Sequence, residues 1–202
     1  MSEYWYCTFV GEGTSDDALV KVLGDLILHM RPGADVHIEP FEWIERPKDK
    51  SVASKAEKLR DEPFDLIFIH RDTDGKDWEA RANEVLSIGD ERLVPVIPIR
   101  MTEAWALASL WDQEPFQQWC SKKGLSFDVF EKMADPKQML KEYLSGEGRR
   151  LISDKDFSTE RARVLEAIEI DGGVKRLKGW KELRKQIDVA MSRVRQHVQY
   201  SN

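Results

Sequence analysis

Four short segments rich in β-branched and aromatic residues alternate with segments of helical periodicity, and this alternation constrains the fold more than any other feature. The strand-like segments are residues 3–11, 36–43, 65–70 and 93–101. A helix between two consecutive strands brings the chain back to the same end of the sheet, so the second strand runs parallel to the first. The first 112 residues are therefore predicted to form an α/β unit with a mainly parallel, four-stranded sheet flanked by helices.

Helical patterns fill the intervals between these strands. Apolar residues repeat at helical spacing over 19–27, directly after a turn in which Thr14 and Ser15 are candidates for the N-cap. Residues 47–61 and 76–86 carry the second and third helical patterns. Each interval is long enough for one crossover helix, as a parallel sheet requires.

Prolines mark the second and fourth strands. Pro40 predicts that the second strand lies at an edge of the sheet, because proline has no N–H to donate to a neighbour. Pro95 and Pro98 limit the hydrogen bonding of the fourth strand in the same way. Thr102 is then expected to cap the helix that follows.

After residue 112 the pattern is helical with loops, and glycines at 146, 148, 172 and 173 mark turns. We predict an α/β core over residues 1–112 and a mostly helical extension over residues 113–202 that packs on this core. The last part of the extension is predicted to be a basic helix.

Charge is distributed unevenly along the chain. The formal net charge is −6, yet basic residues exceed acidic ones by six from residue 173 onward. This asymmetry predicts an acidic site together with a basic helix that contacts a polyanion, although a solvated helix face would carry the same charges. The candidate contacts in this helical region are Lys175, Arg176, Lys178, Lys181, Arg184 and Lys185.

Targeting and redox features are few. No apolar run approaches the roughly 18 residues of a membrane-spanning helix, and the first residues lack the basic region of a secretory signal. Cys7 and Cys120 have neither disulfide-framework nor metal-ligand spacing, so both are expected to be reduced thiols. These features predict a cytoplasmic protein that is not inserted in a membrane.

Acidic residues follow three of the four predicted strands. Glu12 follows the first strand between two glycines, Asp72 and Asp74 follow the third, and Glu103 follows the fourth. The carboxyl ends of parallel strands meet at one edge of the sheet, where ligands bind. Two carboxylates one residue apart repel unless a cation or proton lies between them. We therefore predict an oxygen-liganded Mg²⁺ or Mn²⁺ at this edge.

Each of these side chains also has a purely structural interpretation. Glu12 is compatible with an exposed turn, one of the two aspartates with a helix cap, and Glu103 with the first turn of a helix. His70 lies inside the apolar run and is expected to be a core histidine. Arg71 either pairs with the acids or contacts phosphate, and the sequence leaves both open.

Three motifs, GEGTSD, HRDTDG and RMTEAW, carry a family resemblance. Their order and placement after strands resemble the Toprim domain of topoisomerases, primases and overcoming-lysogenization-defect nucleases. They look most like domain-of-unknown-function family 4276, which ADPKQML and the basic ending also resemble. The resemblance covers about residues 4–112 and continues more weakly to about residue 190. It implies a Rossmann-like, Toprim-like fold.

The resemblance also implies metal-dependent phosphodiester chemistry. In that chemistry Glu12 is the general acid/base, Asp72 and Asp74 hold Mg²⁺ or Mn²⁺, and Glu103 is a candidate for a second ion. Lys155 is a candidate for stabilising charge in the transition state. No tyrosine has the setting of a strand-transfer nucleophile, so hydrolysis is the expected reaction.

The expected substrate is therefore nucleic acid, DNA or RNA, cut by a Mg²⁺- or Mn²⁺-dependent endonuclease. By resemblance alone, the setting would be phage defence or a mobile element, and a partner protein such as an ATPase is expected.

Two other functions remain open from the sequence. The DTDG motif resembles the start of haloacid dehalogenase phosphatases, in which the first aspartate is the nucleophile and the second an acid/base. A non-catalytic Toprim-like module would instead bind metal and nucleic acid or a partner protein without cutting. Tryptophans that could supply such an interaction surface are Trp105, Trp111, Trp119 and Trp180.

Overall fold

A computed structural model of the chain describes residues 3–43, 49, 51–73 and 75–200, with side-chain detail as far as residue 194. A single four-stranded sheet lies at its centre, with the strand order β2-β1-β3-β4 and every neighbouring pair parallel. The strands are β1 (Tyr4–Val10), β2 (Asp35–Pro40), β3 (Leu66–His70) and β4 (Leu93–Val96). The predicted α/β class and parallel sheet are confirmed, and the architecture is Rossmann-like.

The helices flank this sheet and then continue beyond it. They are α1 (Leu19–Met30), α2 (Val52–Leu59), α3 (Trp78–Leu86), α4 (Thr102–Leu110), α5 (Glu114–Lys122), α6 (Pro136–Ser145), α7 (Asp154–Glu166) and α8 (Lys178–Tyr200). Short 3-10 helices occur at Thr14–Asp16, Phe127–Val129 and Gly173–Arg176.

The central strand β3 shows why the sheet forms. All five of its residues are buried, as expected for a parallel strand covered on both faces. Leu66 and Phe68 pack into the larger apolar cluster on one face, whereas Ile67 and Ile69 pack into a second cluster on the other. The edge position predicted for β2 from Pro40 is also confirmed.

Several predicted boundaries differ from the structure, most clearly those of β4, α1 and α4. β4 ends at Val96 and not near residue 101, since Pro98 follows and has no N–H to donate, whereas Pro95 lies within the pairing opposite Ile69. α1 begins at Leu19, because the turn after β1 is taken up by a 3-10 helix. Thr102 does not cap α4 but is its first residue, with Met101 at the N-cap, and its hydroxyl contacts His70 instead.

The two faces of the sheet are covered unequally. α2 and α3 cover one face through Val52, Ala56, Leu59 and Val85. The other face carries the larger cluster, to which α1, α4 and the helices after residue 112 all contribute. α4 is buried on nearly every side, because α6, α7 and the 3-10 helix at Gly173–Arg176 all contact it.

The extension shares its core with the sheet. Trp105 of α4 and Trp180 of α8 are both fully buried, and their rings meet edge to face with centroids 5.2 Å apart. Apolar side chains on either side of residue 112 belong to one continuous cluster. In the described part of the chain, none of the helices combines the length and apolar character needed to cross a bilayer.

Candidate active site

The carboxyl ends of β1 and β3 lie side by side and bring Glu12 next to Arg71. Val10 pairs with Ile69 in the parallel register, so the residues that follow both strands leave the sheet together. One carboxylate oxygen of Glu12 lies 2.7 Å from Nε of Arg71, and the two side chains are 35% and 17% exposed. Glu12 therefore meets solvent at the rim while it forms an ion pair with Arg71.

Gly11 allows the tight turn that presents Glu12. A Cβ atom at this position would lie 2.8 Å from the carbonyl oxygen of Gly13 and 3.3 Å from Cβ of Asp16. No side chain fits there without moving the backbone. Glycine is therefore required directly after β1, because the backbone of the turn leaves no room for a side chain at this position.

His70, the last residue of β3, is fully buried between two carboxylates. Its Nδ1 lies 3.4 Å from Oδ2 of Asp16, and its Nε2 lies 3.4 Å from Oδ1 of Asp72. The hydroxyl of Thr102 is 3.0 Å from Nε2. Both ring nitrogens thus face oxygen atoms, an arrangement that favours the doubly protonated imidazolium.

The pKa values of this cluster follow from burial and charge. Burial opposes protonation of His70, but Asp16 and Asp72 outweigh it and raise the pKa of the imidazole to about 9. Burial likewise disfavours the charged form of Asp16, yet His70 and Arg161 outweigh it and lower the pKa of this carboxyl to about 2. At neutral pH the buried cluster therefore contains an imidazolium and an ionised Asp16.

Arg161 of α7 connects this cluster to the extension. Its Nε donates to Glu103 at 2.8 Å, and one terminal nitrogen lies 3.1 Å from Oδ1 of Asp16. Its other terminal nitrogen donates to the carbonyl oxygen of Ser15. One guanidinium from the extension thus holds the turn after β1 against the start of α4.

Glu12 and Asp72 approach the end of β3 from opposite faces of the sheet. Arg71, which holds Glu12, also lies 3.8 Å from Glu84 of α3. Asp72 instead contacts His70, on the face covered by α1 and α4. The two carboxylates therefore lie on different sides of the end of β3.

A cavity of about 920 Å³ opens beside Glu12, between the ends of β1 and β2. One wall is aromatic, with Phe41 and Trp43, and another is the backbone of the turn after β1. Lys55 of α2 is only 9% exposed and donates from Nζ to the carbonyl oxygen of Gly11 at 3.2 Å. Arg71 also lines the cavity, so two cations and an aromatic surface face one space.

The residues at the rim fit a divalent ion in their chemistry. Glu12 and Asp72 supply hard carboxylate oxygens, and Oδ1 of Asp72 is buried without a hydrogen bond from any described residue. Among the described residues no three potential ligands are arranged around one point. Asp74, another predicted ligand, lies outside the described residues. Mg²⁺ commonly needs only one or two carboxylates, since waters and phosphate oxygens complete its shell.

The other predicted site residues lie in different surroundings. Glu103 is 4% exposed and hydrogen-bonded to Arg161, so its carboxylate already has a buried cationic partner. Lys155 lies exposed in the first turn of α7, six residues before Arg161. The assignment of Glu103 to a second metal ion and that of Lys155 to stabilisation of the transition state both stay predictions.

The predicted basic contacts lie around the start of α8 and along it. The guanidinium of Arg176 lies 3.7 Å from the ring centre of Phe127, and Lys178 is 3.5 Å from Glu79 of α3. Lys185 lies 3.7 Å from Glu182. Lys175, Lys181 and Arg184 lie in the same region, with Lys175 and Lys181 exposed. Phosphate binding by these residues stays a prediction.

Several residues of the site were not predicted as such from the sequence. Arg161 occupies the buried face of α7 between Phe157 and Leu165, each four residues away, and Lys55 lies among the apolar residues of α2. A cation on an apolar stripe is the signal that could have identified both. Arg100 is the non-glycine residue with positive φ among the described residues, at 74°, and Thr73 accepts a hydrogen bond from its amide.

No protein-family model matches the sequence, and no curated protein or solved structure matches the chain. The likeness to Toprim domains accordingly stays a prediction that depends on the three motifs and their positions after the strands.

Proposed function

We propose that this protein is a metal-dependent nuclease that hydrolyses phosphodiester bonds of nucleic acid. The observation that carries the proposal is the rim of the sheet, where Glu12 and Asp72 flank the end of β3 and Glu12 lines a cavity together with Lys55 and Arg71. Ligands of open parallel sheets bind at this edge. Carboxylates beside cations in an open cleft suit a phosphate that enters together with a divalent ion.

In this proposal Glu12 transfers the proton, and Asp72 with Asp74 holds Mg²⁺ or Mn²⁺. A divalent ion, when bound, supplies orientation of the phosphate, a lower pKa of the attacking water and stabilisation of the leaving oxygen. Glu12 suits a general acid/base because its carboxylate is open to solvent yet held by Arg71. Arg71 can donate to a phosphate oxygen when the substrate displaces part of this ion pair.

His70 and Arg161 have supporting roles in the proposed site. His70 holds the carboxylate of Asp72 in place from beneath the rim, and Arg161 holds Asp16, which in turn holds His70. Groups whose orientation is set by buried neighbours lose less freedom when they bind ligand. We regard both as positioning residues.

The decisive experiment is a cleavage assay on single-stranded DNA, duplex DNA and RNA with Mg²⁺ or Mn²⁺. Asp72→Ala and the closer analogue Asp72→Asn are expected to lower the cutting rate at least 100-fold, while circular dichroism shows a folded protein. Asp128→Ala, which removes an exposed aspartate of the extension, serves as the matched control and should cut normally. Undiminished cutting by both Asp72 variants would refute the assignment.

A non-catalytic binding module is the second candidate, and one observation favours it. Each described rim carboxylate already has a protein cation, Arg71 for Glu12 and His70 for Asp72, so neither needs a metal to be neutralised. Such a module would bind nucleic acid or a partner protein in EDTA, with salt-dependent affinity and no turnover in Mn²⁺. A cut product in Mn²⁺ that depends on Asp72 would exclude it.

A further inference from the structure

We propose that the cavity beside Glu12 holds one unpaired nucleotide of a single-stranded nucleic acid, with its base against Trp43 and its phosphate near Lys55 and Arg71. This inference deepens the proposed function and rests on it for the class of substrate. It adds that the site accepts single-stranded nucleic acid and that Trp43 recognises the base.

The aromatic wall is built from the core outward. Tyr6 and Phe64 have ring centres 4.8 Å apart, Phe64 and Phe41 are 6.1 Å apart, and Phe41 meets Trp43 edge to face at 4.7 Å. Phe64 is buried, whereas Trp43 is partly exposed and lines the cavity. The outermost ring is therefore held by packed neighbours while it remains open to a ligand, as base stacking requires.

Positive charge also lines the same cavity, from Lys55 and Arg71. The alkyl stem of Lys55 packs on the buried side of α2, and its ammonium reaches the carbonyl oxygen of Gly11. Arg71 leaves the end of β3 beside Glu12. A buried stem fixes the position of a lysine charge, and a guanidinium binds phosphate oxygens through several donors. An aromatic wall together with these two cations in one cavity matches the base and phosphate of one nucleotide.

Among the described residues, charged groups of both signs line the cavity. The carboxylates are those of Glu12, Asp17, Glu42 and Asp49, and the cations are Lys55 and Arg71. A divalent ion that enters together with the phosphate would offset these carboxylates. A polyamine is the rival ligand class, since an aromatic wall and acidic groups also suit an organic cation.

The size of the cavity favours an unpaired base. Its volume of about 920 Å³ lies within the range of about 300–1,000 Å³ typical of small-ligand pockets, which suits a nucleotide but not a base pair within a duplex. A base inside a duplex is stacked on both faces and cannot reach a ring that lines a pocket unless it is flipped out. Single-stranded nucleic acid offers its bases without that cost.

The test measures binding without turnover, by fluorescence anisotropy of a labelled thymidine octamer in Ca²⁺. An abasic octamer with the same phosphates is the second probe. Trp43→Ala is expected to weaken binding of the thymidine octamer about tenfold or more, because stacking of one base is lost, and to leave the abasic octamer unaffected. Trp43→Phe should retain most of the affinity, since a phenyl ring also stacks.

Tyr4→Ala is the control, because Tyr4 is also an exposed aromatic residue but lies at the start of β1, at the opposite end of the strand from this cavity. It should bind both octamers like the wild type. Equal affinity of Trp43→Ala and the wild type for the thymidine octamer would overturn the inference. Binding of spermidine that depends on Trp43, in place of the octamer, would overturn it as well and assign an amine pocket.

The two proposals fail in different ways. If Asp72→Ala abolishes cutting but Trp43→Ala binds the octamer normally, the nucleotide pocket is wrong and the nuclease assignment stands. If the octamer binds in a Trp43-dependent way but no polymer is cut in Mg²⁺ or Mn²⁺, the pocket stands and the nuclease assignment is wrong.

Discussion

Arg161 of α7 donates a 2.8 Å hydrogen bond to Glu103 of α4, and both side chains are almost completely buried. The same guanidinium lies 3.1 Å from Asp16, so one cation serves two buried carboxylates. Burying charges is costly unless they are paired, and removal of one partner leaves the others without compensation. This arrangement ties the helical extension to the rim of the sheet through electrostatics in addition to apolar packing.

Arg161→Met is expected to destabilise the protein by about 3–5 kcal/mol, because Glu103 and Asp16 lose their buried counter-ion. Urea denaturation at pH 7 measures the free energy of unfolding. Arg163→Met is the control, since Arg163 lies on the same helix in an exposed pair with Glu160 and should cost less than about 1 kcal/mol. A cost for Arg161→Met as small as that of the control would contradict this role.

The stability of the metal-free protein should depend on pH through His70. The pKa of His70 is raised from its ordinary 6.5 to about 9 in the folded protein. Its stabilising contribution is therefore fully present below pH 6.5 and is lost as the pH rises through 9. The pKa of Asp16 is lowered from 3.8 to about 2. The stabilising contribution of Asp16 is therefore present above pH 3.8 and is lost as the pH falls through 2.

Between pH 6 and pH 9.5 the free energy of unfolding is expected to fall by on the order of 3 kcal/mol from His70 alone. Urea denaturation in EDTA, compared between the wild type and His70→Asn, isolates this contribution. Burial also raises the pKa of Cys7 and Cys120, but these thiols contribute equally to both proteins. Parallel pH profiles for the two proteins would be inconsistent with a charged His70.

Glu12→Gln is expected to lower the cutting rate about 10²–10⁴-fold, because the amide cannot accept or return a proton. Affinity for the thymidine octamer in Ca²⁺ should change only a few-fold. Glu42→Gln is the matched control, since Glu42 is an exposed carboxylate that lines the same cavity. If Glu12→Gln cuts as fast as the control, Glu12 is not the general acid/base.

Neutralising the basic surface of α8 should weaken nucleic-acid binding uniformly across sequences. Lys181→Gln with Lys185→Gln is expected to reduce the slope of log affinity against log salt by about 0.7 for each phosphate contact removed from a single strand. Lys122→Gln with Lys123→Gln removes two charges from the C-terminal end of α5 and the residue that follows it, and should leave the slope unchanged. An unchanged slope for both pairs would indicate a solvated helix face.

Much of the fold was predictable because its signals are local. The apolar spacing over residues 19–27 predicted the buried face of α1, where Leu19, Val22, Leu23, Leu26 and Ile27 are all buried. Pro40 predicted the edge position of β2. The start of α4 was misjudged, since the hydroxyl of Thr102 contacts a histidine 32 residues away instead of its own helix end.

The candidate site was predictable only in part. Parallel strands end at one edge, so Glu12 and Asp72 were expected to meet there, and the structure has both at the end of β3. Their partners could not be derived in the same way. Arg161 lies 145 residues from Asp16 along the chain, and nothing in either local sequence identifies the other.

The sequence by itself determined a parallel sheet with acidic residues after its strands. The periodicity of apolar residues and the residue types that form turns are both properties of short segments of the chain. Only the tertiary structure decided that His70, Arg71 and Arg161 neutralise those acids and that Trp43 and Lys55 face one cavity. Ion pairs and cavities depend on distances between atoms that are remote along the chain, and a local pattern carries no record of such distances.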